Sequence, residues 1–221
     1  MLTPANRWIG VRFWVGLLGI ATVAGLLAPT LAVSADLARQ VWDFNADVSG
    51  AIAKGFTAEI GAWSVATETG TTNQVLAQTA KSPGPVFNIA VVADGRNWTD
   101  VDLSVRVKPV AGVEDQSGGV VWRFQDVKNY YVARYNPLED NYRLYKVVGG
   151  KRTQLATADI PGDQKWHTVR VMMKGAKITC ALDGKTWLEA DDATFVKPGK
   201  IGLWSKADAQ SWFDDLTVSG D

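Results

Sequence analysis

The stretch SGGVVWRFQDVKNYYVARYN, from Ser117 to Asn136, holds two strand-like runs separated by a polar turn. Successive side chains of a strand point to opposite faces, so Arg134 shares a face with Tyr130 and Val132. An arginine inside a sheet needs an acidic partner or a ligand, because an unpaired buried charge is costly. We therefore predict that Arg123 and Arg134 line one groove of a β-sheet protein.

The same two-residue period continues on both sides of this stretch. In VDLSVRV, residues 101–107, apolar and polar side chains alternate, and similar runs follow as far as SWFDDLTV, residues 211–218. Gly- and Pro-containing turns separate the runs, and Asp183–Gly184 is a typical type I′ hairpin turn. This pattern predicts an all-β fold, an antiparallel sandwich or jelly roll in one domain spanning residues 36–221.

The first 35 residues have the pattern of a secretory signal peptide. Arg7 and Arg12 precede an apolar run, residues 13–32, and Val33 and Ala35 are small residues at the −3 and −1 positions of a cleavage site. The alternative is an uncleaved membrane anchor, since about 20 apolar residues can span a bilayer. We expect an exported protein, periplasmic or secreted, that has no membrane association after cleavage.

Charge and composition exclude several function classes. The chain has 23 basic and 23 acidic residues, and removal of Arg7 and Arg12 leaves 21 against 23, a net charge of −2. Nucleic-acid binding needs a clearly basic face, so we expect no nucleic-acid partner. One cysteine, Cys180, excludes an internal disulfide and is interpreted as a core thiol. One histidine, His167, is interpreted as a sheet residue whose ring nitrogens have hydrogen-bond partners within the protein. One histidine and one cysteine are too few ligands for an ordinary structural zinc site.

Four segments in order resemble a known family: SGGVVWRFQDVKNYYVARYN, NYRLYKVVGGKRTQLA, KWHTVRVMMKGAKITCALDGK and PGKIGLWSKADAQSWFDDLTV. Together they resemble a concanavalin A-like lectin/glucanase domain, in the bacterial exported branch that includes the 3-keto-disaccharide hydrolase domain. The resemblance covers residues 42–218. It implies a jelly roll with a concave sheet face on which members that act on carbohydrate hold their ligand.

Sugars are bound by aromatic faces and by planar polar groups that fork onto hydroxyls. The region after Arg123 is rich in both kinds. Trp204 is the tryptophan most suited to a groove, and a core position is the alternative for it. The alternative is a solvated sheet face with cross-strand charge pairs. The predicted ligand-binding residues are Arg123, Asp126, Tyr131, Arg134, Asn136, Glu139, Asn141, Arg143 and Trp204.

The sequence lacks the carboxylate motif of laminarinase-like enzymes. Retaining hydrolysis needs two carboxylates about 5 Å apart, and the nearest candidate, LEADDATF, has Glu189 and Asp191 but Thr194 at the third position. A 3-keto sugar hydrolase could instead remove an acidic proton beside a ketone, which needs a base and an oxyanion stabiliser. Arg123 with Asp126 or Glu139 could supply these, and no residue singles itself out as catalytic.

The two ends of the domain carry carboxylates that suit calcium. In jelly rolls the terminal strands often lie side by side, and related folds hold a structural calcium there. Asp43, Asp214 and Asp215 fit calcium's preference for oxygen ligands. The alternative, slightly favoured, is that the two last acids alternate across the final strand and bind no metal. No other cofactor is expected.

We therefore expect an exported domain that binds carbohydrate on the concave sheet face. Two alternatives stay open: a glycoside hydrolase of the 3-keto-disaccharide type, and a structural or protein-interaction module without a sugar site. The sequence specifies neither the glycan nor the oligomeric state.

Signal-peptide processing gives the first testable prediction. N-terminal sequencing of exported protein should find Asp36 as the first residue, because cleavage follows the small residues at 33 and 35. Recovery of the intact N-terminus in a membrane fraction would contradict it.

Overall fold

The computed structural model describes Met1, Gly10, residues 39–93 and residues 95–221. Contacts divide the chain into two units, Met1–Ser34 and Ala35–Asp221, and the second unit contains every strand that the structure describes. The predicted signal peptide lies outside the described residues. Within the described part of the chain, no helix is both long enough and apolar enough to cross a membrane.

The described part of the second unit is built from strands, with one short 3-10 helix, Pro137–Glu139, between β8 and β9. The strands are β1 (Gln40–Trp42), β2 (Phe56–Ile60), β3 (Trp63–Thr67), β4 (Gln74–Gln78), β5 (Phe87–Val92), β6 (Val101–Ala111), β7 (Gly118–Asp126), β8 (Asn129–Asn136), β9 (Asn141–Val148), β10 (Lys151–Asp159), β11 (His167–Lys174), β12 (Lys177–Leu182), β13 (Lys185–Asp191), β14 (Lys200–Lys206) and β15 (Gln210–Gly220).

These strands form two antiparallel sheets. The eight-stranded sheet has the order β13-β12-β11-β6-β15-β4-β3, with β1 also paired to β15, and the seven-stranded sheet has the order β10-β9-β8-β7-β14-β5-β2. The predicted all-β sandwich is confirmed. The predicted type I′ hairpin is also present, because Asp183 and Gly184 both have positive φ, 51° and 81°.

The main core lies between the two sheets and follows the two-residue period. On β6, Leu103, Val105 and Val107 are buried against side chains of the other sheet, while the alternating polar residues face away. Trp122 on β7 and Tyr131 on β8 enter the same core and stack with ring centroids 5.5 Å apart. The inner faces of the two sheets therefore provide the apolar burial that holds the sandwich together.

The seven-stranded sheet is buried on its second face as well. We call this the far face, since it points away from the eight-stranded sheet. Tyr130 and Val132 of β8 belong to a separate apolar cluster there, together with Trp204 of β14 and Tyr145 of β9. Strand β8 therefore packs on both sides, which explains why its sequence is almost continuously apolar.

Gly119 allows β7 and β8 to approach closely in the middle of this sheet. A Cβ atom at this position would clash with the backbone carbonyl oxygen of Ala133 on β8. The paired glycines of the SGGVV segment thus have a steric explanation, since only a residue without a Cβ fits here.

A polar network joins the two sheets at one end of the sandwich. The Tyr131 hydroxyl donates to Oδ1 of Asp192 over 2.6 Å, and Nζ of Lys146 lies 2.6 Å from Oδ2 of the same carboxylate. Burial opposes the charge on Asp192, but hydrogen bonds from Lys146, Thr194 and Tyr131 outweigh it and lower the pKa of this carboxyl. Burial raises the pKa of Tyr131 to about 12, so the hydroxyl stays protonated and acts as the hydrogen-bond donor to Asp192.

This network predicts a pH-dependent contribution to stability. The folded-state pKa of Asp192 is lowered, so its contribution is present above the unfolded carboxyl pKa of about 3.9 and is lost as the pH falls through the folded value. Asp192→Asn should therefore cost about 1–3 kcal/mol of unfolding free energy at pH 7 and less in acid. Urea denaturation at pH 7 and near pH 2.5 measures the difference. If the difference in unfolding free energy between the wild type and Asp192→Asn is the same at both pH values, this assignment is contradicted.

Candidate functional site

Arg134 lies at the centre of a polar cluster on the far face. Its guanidinium donates to Oδ1 of Asn141 over 2.5 Å, to Oε2 of Glu139 over 2.7 Å and to the Tyr145 hydroxyl over 3.4 Å. Only 1% of its side chain is exposed. A guanidinium buried to this degree needs such partners, and the 3-10 helix (Glu139) and β9 (Asn141 and Tyr145) supply them.

The turn between β8 and β9 places the acidic partner. The side chain of Asn136 caps the 3-10 helix by accepting from the backbone N–H of Leu138 over 3.0 Å, and Asp140 ends the helix with φ 48°. This short helix brings Glu139 back over the end of β8. Glu139 then also accepts from Nη1 of Arg143 on β9, at 3.2 Å.

Tyr145 forms the floor of the cluster, and a third arginine lies over its ring. The guanidinium carbon of Arg152 on β10 is 4.4 Å from the Tyr145 ring centroid and 5.2 Å from that of Phe87. The tyrosine hydroxyl lies 3.4 Å from Nη1 of Arg143. We define the arginine cluster as Arg134, Glu139, Asn141, Arg143, Tyr145 and Arg152.

The electrostatics of the cluster keep its carboxylate ionised. Burial opposes the charge on Glu139, but the attraction and hydrogen bond of Arg134, with further help from Asn141 and Arg143, lower the pKa of Glu139 below its usual value. A carboxylate with a lowered pKa stays ionised near neutral pH, so it accepts hydrogen bonds but is a weak base. The cluster is therefore better suited to binding than to proton abstraction.

The rim of the cluster is accessible, whereas its deeper parts are buried. The side chains of Glu139 and Arg143 are 36% and 32% exposed. Tyr130 and Trp204 lie deeper in the far-face cluster and are fully buried, and the indole Nε1 of Trp204 donates to the Tyr130 hydroxyl over 3.3 Å. Trp204 thus supports the site from below instead of lining an open groove.

Arg123 does not join the arginine cluster, so the prediction that it lines one groove with Arg134 is wrong. The pairing of β7 with β8 is irregular after Trp122, and Arg123 has a positive φ of 44°, which turns its side chain out of the regular alternation. The guanidinium donates to the backbone carbonyl oxygens of Thr99 over 2.8 Å and Gly175 over 2.9 Å. A third backbone acceptor is the carbonyl oxygen of Phe195.

The remaining predicted ligand residues have local roles. Asp126 accepts from the backbone N–H of Lys128 and the amide of Asn129 in the turn after β7. Tyr131 faces the inner core and bonds Asp192, and Asn136 is buried in its capping role. The structure therefore brings together four of the nine predicted residues: Arg134, Glu139, Asn141 and Arg143.

Two members of the arginine cluster, Tyr145 and Arg152, are not among the nine predicted residues. Arg152 stands in the run KRTQLA, and its place over Tyr145 depends on the register between β9 and β10, which pairs Arg152 with Val147. That register contains a bulge between Gln154 and Ala156. The bulge lies beyond Arg152, and the two-residue turn Gly149–Gly150, with φ of 58° and 83°, sets Arg152 opposite Val147. This glycine pair is therefore the sequence signal that could have placed Arg152 beside β9.

The predicted calcium ligands do not form a cluster. Asp214 and Asp215 both lie near Nη1 of Arg106, at 3.4 Å and 3.2 Å, and Asp43 accepts from the backbone N–H of Asn45 in its own turn. In the part of the chain that the structure describes, no three acidic, histidine or cysteine side chains are grouped to hold a metal ion. The ion pairs with Arg106 agree with the favoured alternative, in which the two last acids bind no metal; calcium binding itself stays a prediction.

The lone histidine and the lone cysteine have structural environments. His167 packs on Tyr135 and bonds Asp183 through Nδ1 at 2.7 Å and Asp163 through Nε2 at 2.9 Å. Cys180 is fully buried, and burial raises the pKa of its thiol to about 12. Both interpretations made from sequence are confirmed, and neither side chain is poised as a nucleophile or its base.

The architecture is that of the concanavalin A-like jelly rolls found in many carbohydrate-related proteins. The carbohydrate-binding module CBM66 from Bacillus subtilis superposes with a TM-score of 0.63 and 21% identity, over 75% of this chain and 96% of that module. A β-glucanase from Bacillus licheniformis superposes with a TM-score of 0.57 and 13% identity, over 83% of this chain and 98% of that enzyme. The GH43 protein BlXynB from Bacillus licheniformis superposes with a TM-score of 0.60 and 15% identity, over 82% of this chain and 39% of that protein. These similarities establish the fold alone.

The chain belongs to the family of 3-keto-alpha-glucoside-1,2-lyase-like domains, whose sequence profile matches residues 44–219. This confirms the resemblance inferred from the sequence. No curated protein sequence matches the chain. Membership of this family makes the protein carbohydrate-related, and the match runs from the segment after β1 to the end region of β15 and includes every residue of the arginine cluster.

The position of Arg123 predicts a structural role. Its side chain is 3% exposed and lies 3.4 Å from Asp100. Arg123→Ala removes the donor to the backbone carbonyl groups of Thr99, Gly175 and Phe195 and leaves a space where the buried guanidinium packed. We expect a loss of about 3 kcal/mol in unfolding free energy. Arg170→Ala is the control, since its ion pair with Asp102 is 46% and 41% exposed and should cost about 1 kcal/mol or less. Thermal denaturation that ranks the two variants equally would contradict the assignment.

Proposed function

We propose that the protein recognises carbohydrate at the arginine cluster, with the sugar contacting its exposed rim. The observation that carries the proposal is the concentration of planar polar groups around one aromatic ring. Arg143, Glu139 and Asn141 surround the edge of Tyr145, on a sheet face whose deeper layer is aromatic. Planar carboxylate and guanidinium groups match pairs of neighbouring sugar hydroxyls, and an aromatic support fixes their orientation.

Two atoms at the rim have capacity for a ligand. All the side-chain hydrogen bonds that Glu139 accepts within the described part of the chain go to Oε2, from Arg134, Asn141 and Arg143. Nε of Arg143 donates to Thr157, and Nη1 donates to Glu139 and Tyr145. Oε1 of Glu139 can thus accept from one sugar hydroxyl while Nη2 of Arg143 donates to its neighbour.

The internal bonds of the cluster set its geometry before a ligand arrives. Arg134 is held by three side chains, and it in turn holds Glu139 against the sheet. A site whose side chains are already ordered loses less conformational entropy on binding. The buried arginine is therefore a positioning residue, and the exposed Arg143 is the one expected to touch the sugar.

A glycan array screened with the wild-type protein tests this function. Arg143→Ala should fold normally, because its side chain is 32% exposed, and should weaken binding about tenfold, as expected for loss of a charge-assisted hydrogen bond worth about 1.4 kcal/mol. Arg170→Ala, on the other sheet, should bind as wild type does. An array with no bound glycan, or binding that is indifferent to Arg143→Ala, would remove the basis of the proposal.

The family description favours a second candidate, elimination or hydrolysis of a 3-keto glucoside at the same place. That chemistry needs a base beside the ketone, and Glu139 is the carboxylate at the cluster. Its lowered pKa makes it a weak base, which is why binding is the preferred proposal. Release of product from a 3-keto disaccharide, abolished by Glu139→Gln and retained by Arg170→Ala, would establish the second candidate. Substrate that stays intact while it binds would leave recognition as the function.

A further inference from the structure

The arginine cluster has an excess of positive charge. Three guanidinium groups, those of Arg134, Arg143 and Arg152, surround Tyr145. Glu139 is the carboxylate in ion-pair contact with Arg134 and Arg143, and Asp159 attracts Arg143 from beyond contact distance. Among the described residues, Arg152 forms no ion pair with any carboxylate. Glu139 is therefore the only described carboxylate in ion-pair contact with any of the three guanidinium groups.

Two of these guanidinium groups also contain buried nitrogens without a hydrogen-bond partner. Nε of Arg134 and Nη1 of Arg152 are both buried and unsatisfied. Burying an N–H without an acceptor costs about 1–3 kcal/mol, and more for a charged group. These two nitrogens show that the donors of the cluster outnumber the acceptors that the described residues provide.

The accessible side of this excess charge lies between Arg143 and Arg152. Arg143 is 32% exposed and touches the hydroxyl of Tyr145, while Arg152 is partly buried and covers the ring of the same residue. An anion resting on the edge of Tyr145 would reach both guanidinium groups from solvent. The aromatic and aliphatic side chains beneath it would strengthen the attraction, because they lower the local dielectric constant.

We propose that the arginine cluster selects saccharides that carry a carboxylate, that is uronic acids, over neutral sugars. This inference rests on the proposed function of the cluster and names its substrate class. The carboxylate is the anion of choice because its two oxygens lie in a plane and match the parallel N–H groups of a guanidinium fork. A sugar hydroxyl next to it would meet Oε1 of Glu139 at the rim.

Pairs of monosaccharides that differ only at C6 test the proposal with minimal ambiguity. The wild-type protein is titrated with D-glucose and D-glucuronate, and with D-galactose and D-galacturonate, while NMR follows the arginine Nε–H signals. We expect a uronate of at least one pair to bind tenfold or more tightly than its neutral partner, and added salt to reduce the difference. Arg152→Gln, which removes the charge but keeps a long polar side chain, should abolish most of this preference. Arg170→Gln makes the same charge change on the other sheet and should leave it intact.

Each outcome decides the proposal. Neutral sugars that bind as tightly as the uronates, with binding still lost in Arg143→Ala, would overturn the selectivity and leave the carbohydrate function standing. A uronate preference that survives Arg152→Gln would place the anion elsewhere and overturn it too. D-Glucose 6-sulfate is the remaining probe: binding equal to that of D-glucuronate would show a general anion site and overturn the choice of carboxylate. Absence of any shift in the cluster with all of these sugars would overturn both proposals.

Discussion

The structure depends on one constraint, the burial of strands β7 and β8 on both faces. A strand with apolar packing on each side leaves no solvent for its polar side chains, so each charged group on it must find its partners within the protein. The Arg123 guanidinium donates hydrogen bonds to backbone carbonyl groups in the loop before β6, the turn after β11 and the segment after β13. Arg134 finds the side chains of the turn after β8 and of β9. Loops far apart in the chain are thereby ordered around two guanidinium groups.

These two arginines show how far the sequence could predict the structure. Alternation along β8 correctly separated the inner face, with Tyr131, from the far face, with Tyr130 and Arg134. The same argument failed for Arg123, because one residue with positive φ breaks the alternation and redirects the side chain. Nothing in the letters WRFQD marks that irregularity, since its cause is the pairing of β7 with its neighbours on both sides.

The candidate site was predicted where its residues lie on the β8–β9 hairpin and was missed on the strand that follows. Arg134, Glu139, Asn141 and Arg143 fall within ten residues, on two strands joined by a tight turn, so their convergence follows from a hairpin. Arg152 lies on the next strand, and the two-residue turn Gly149–Gly150 sets it opposite Val147, so this glycine pair was the signal that the site extends to β10. Trp204 was expected at the surface of a groove, whereas packing beneath Phe87 and against Tyr130 buries it completely.

The pairing of β1 with β15 has a consequence for the topology of the domain. Gln40 lies opposite Val218 in an antiparallel register, so the first and last strands run side by side in the same sheet. A short peptide could therefore join the two ends without bending the sheet, and a circularly permuted chain opened at an exposed hairpin should keep the same fold. For the same reason the sandwich could be inserted into a loop of a host protein, since both connections would leave from one end of the domain.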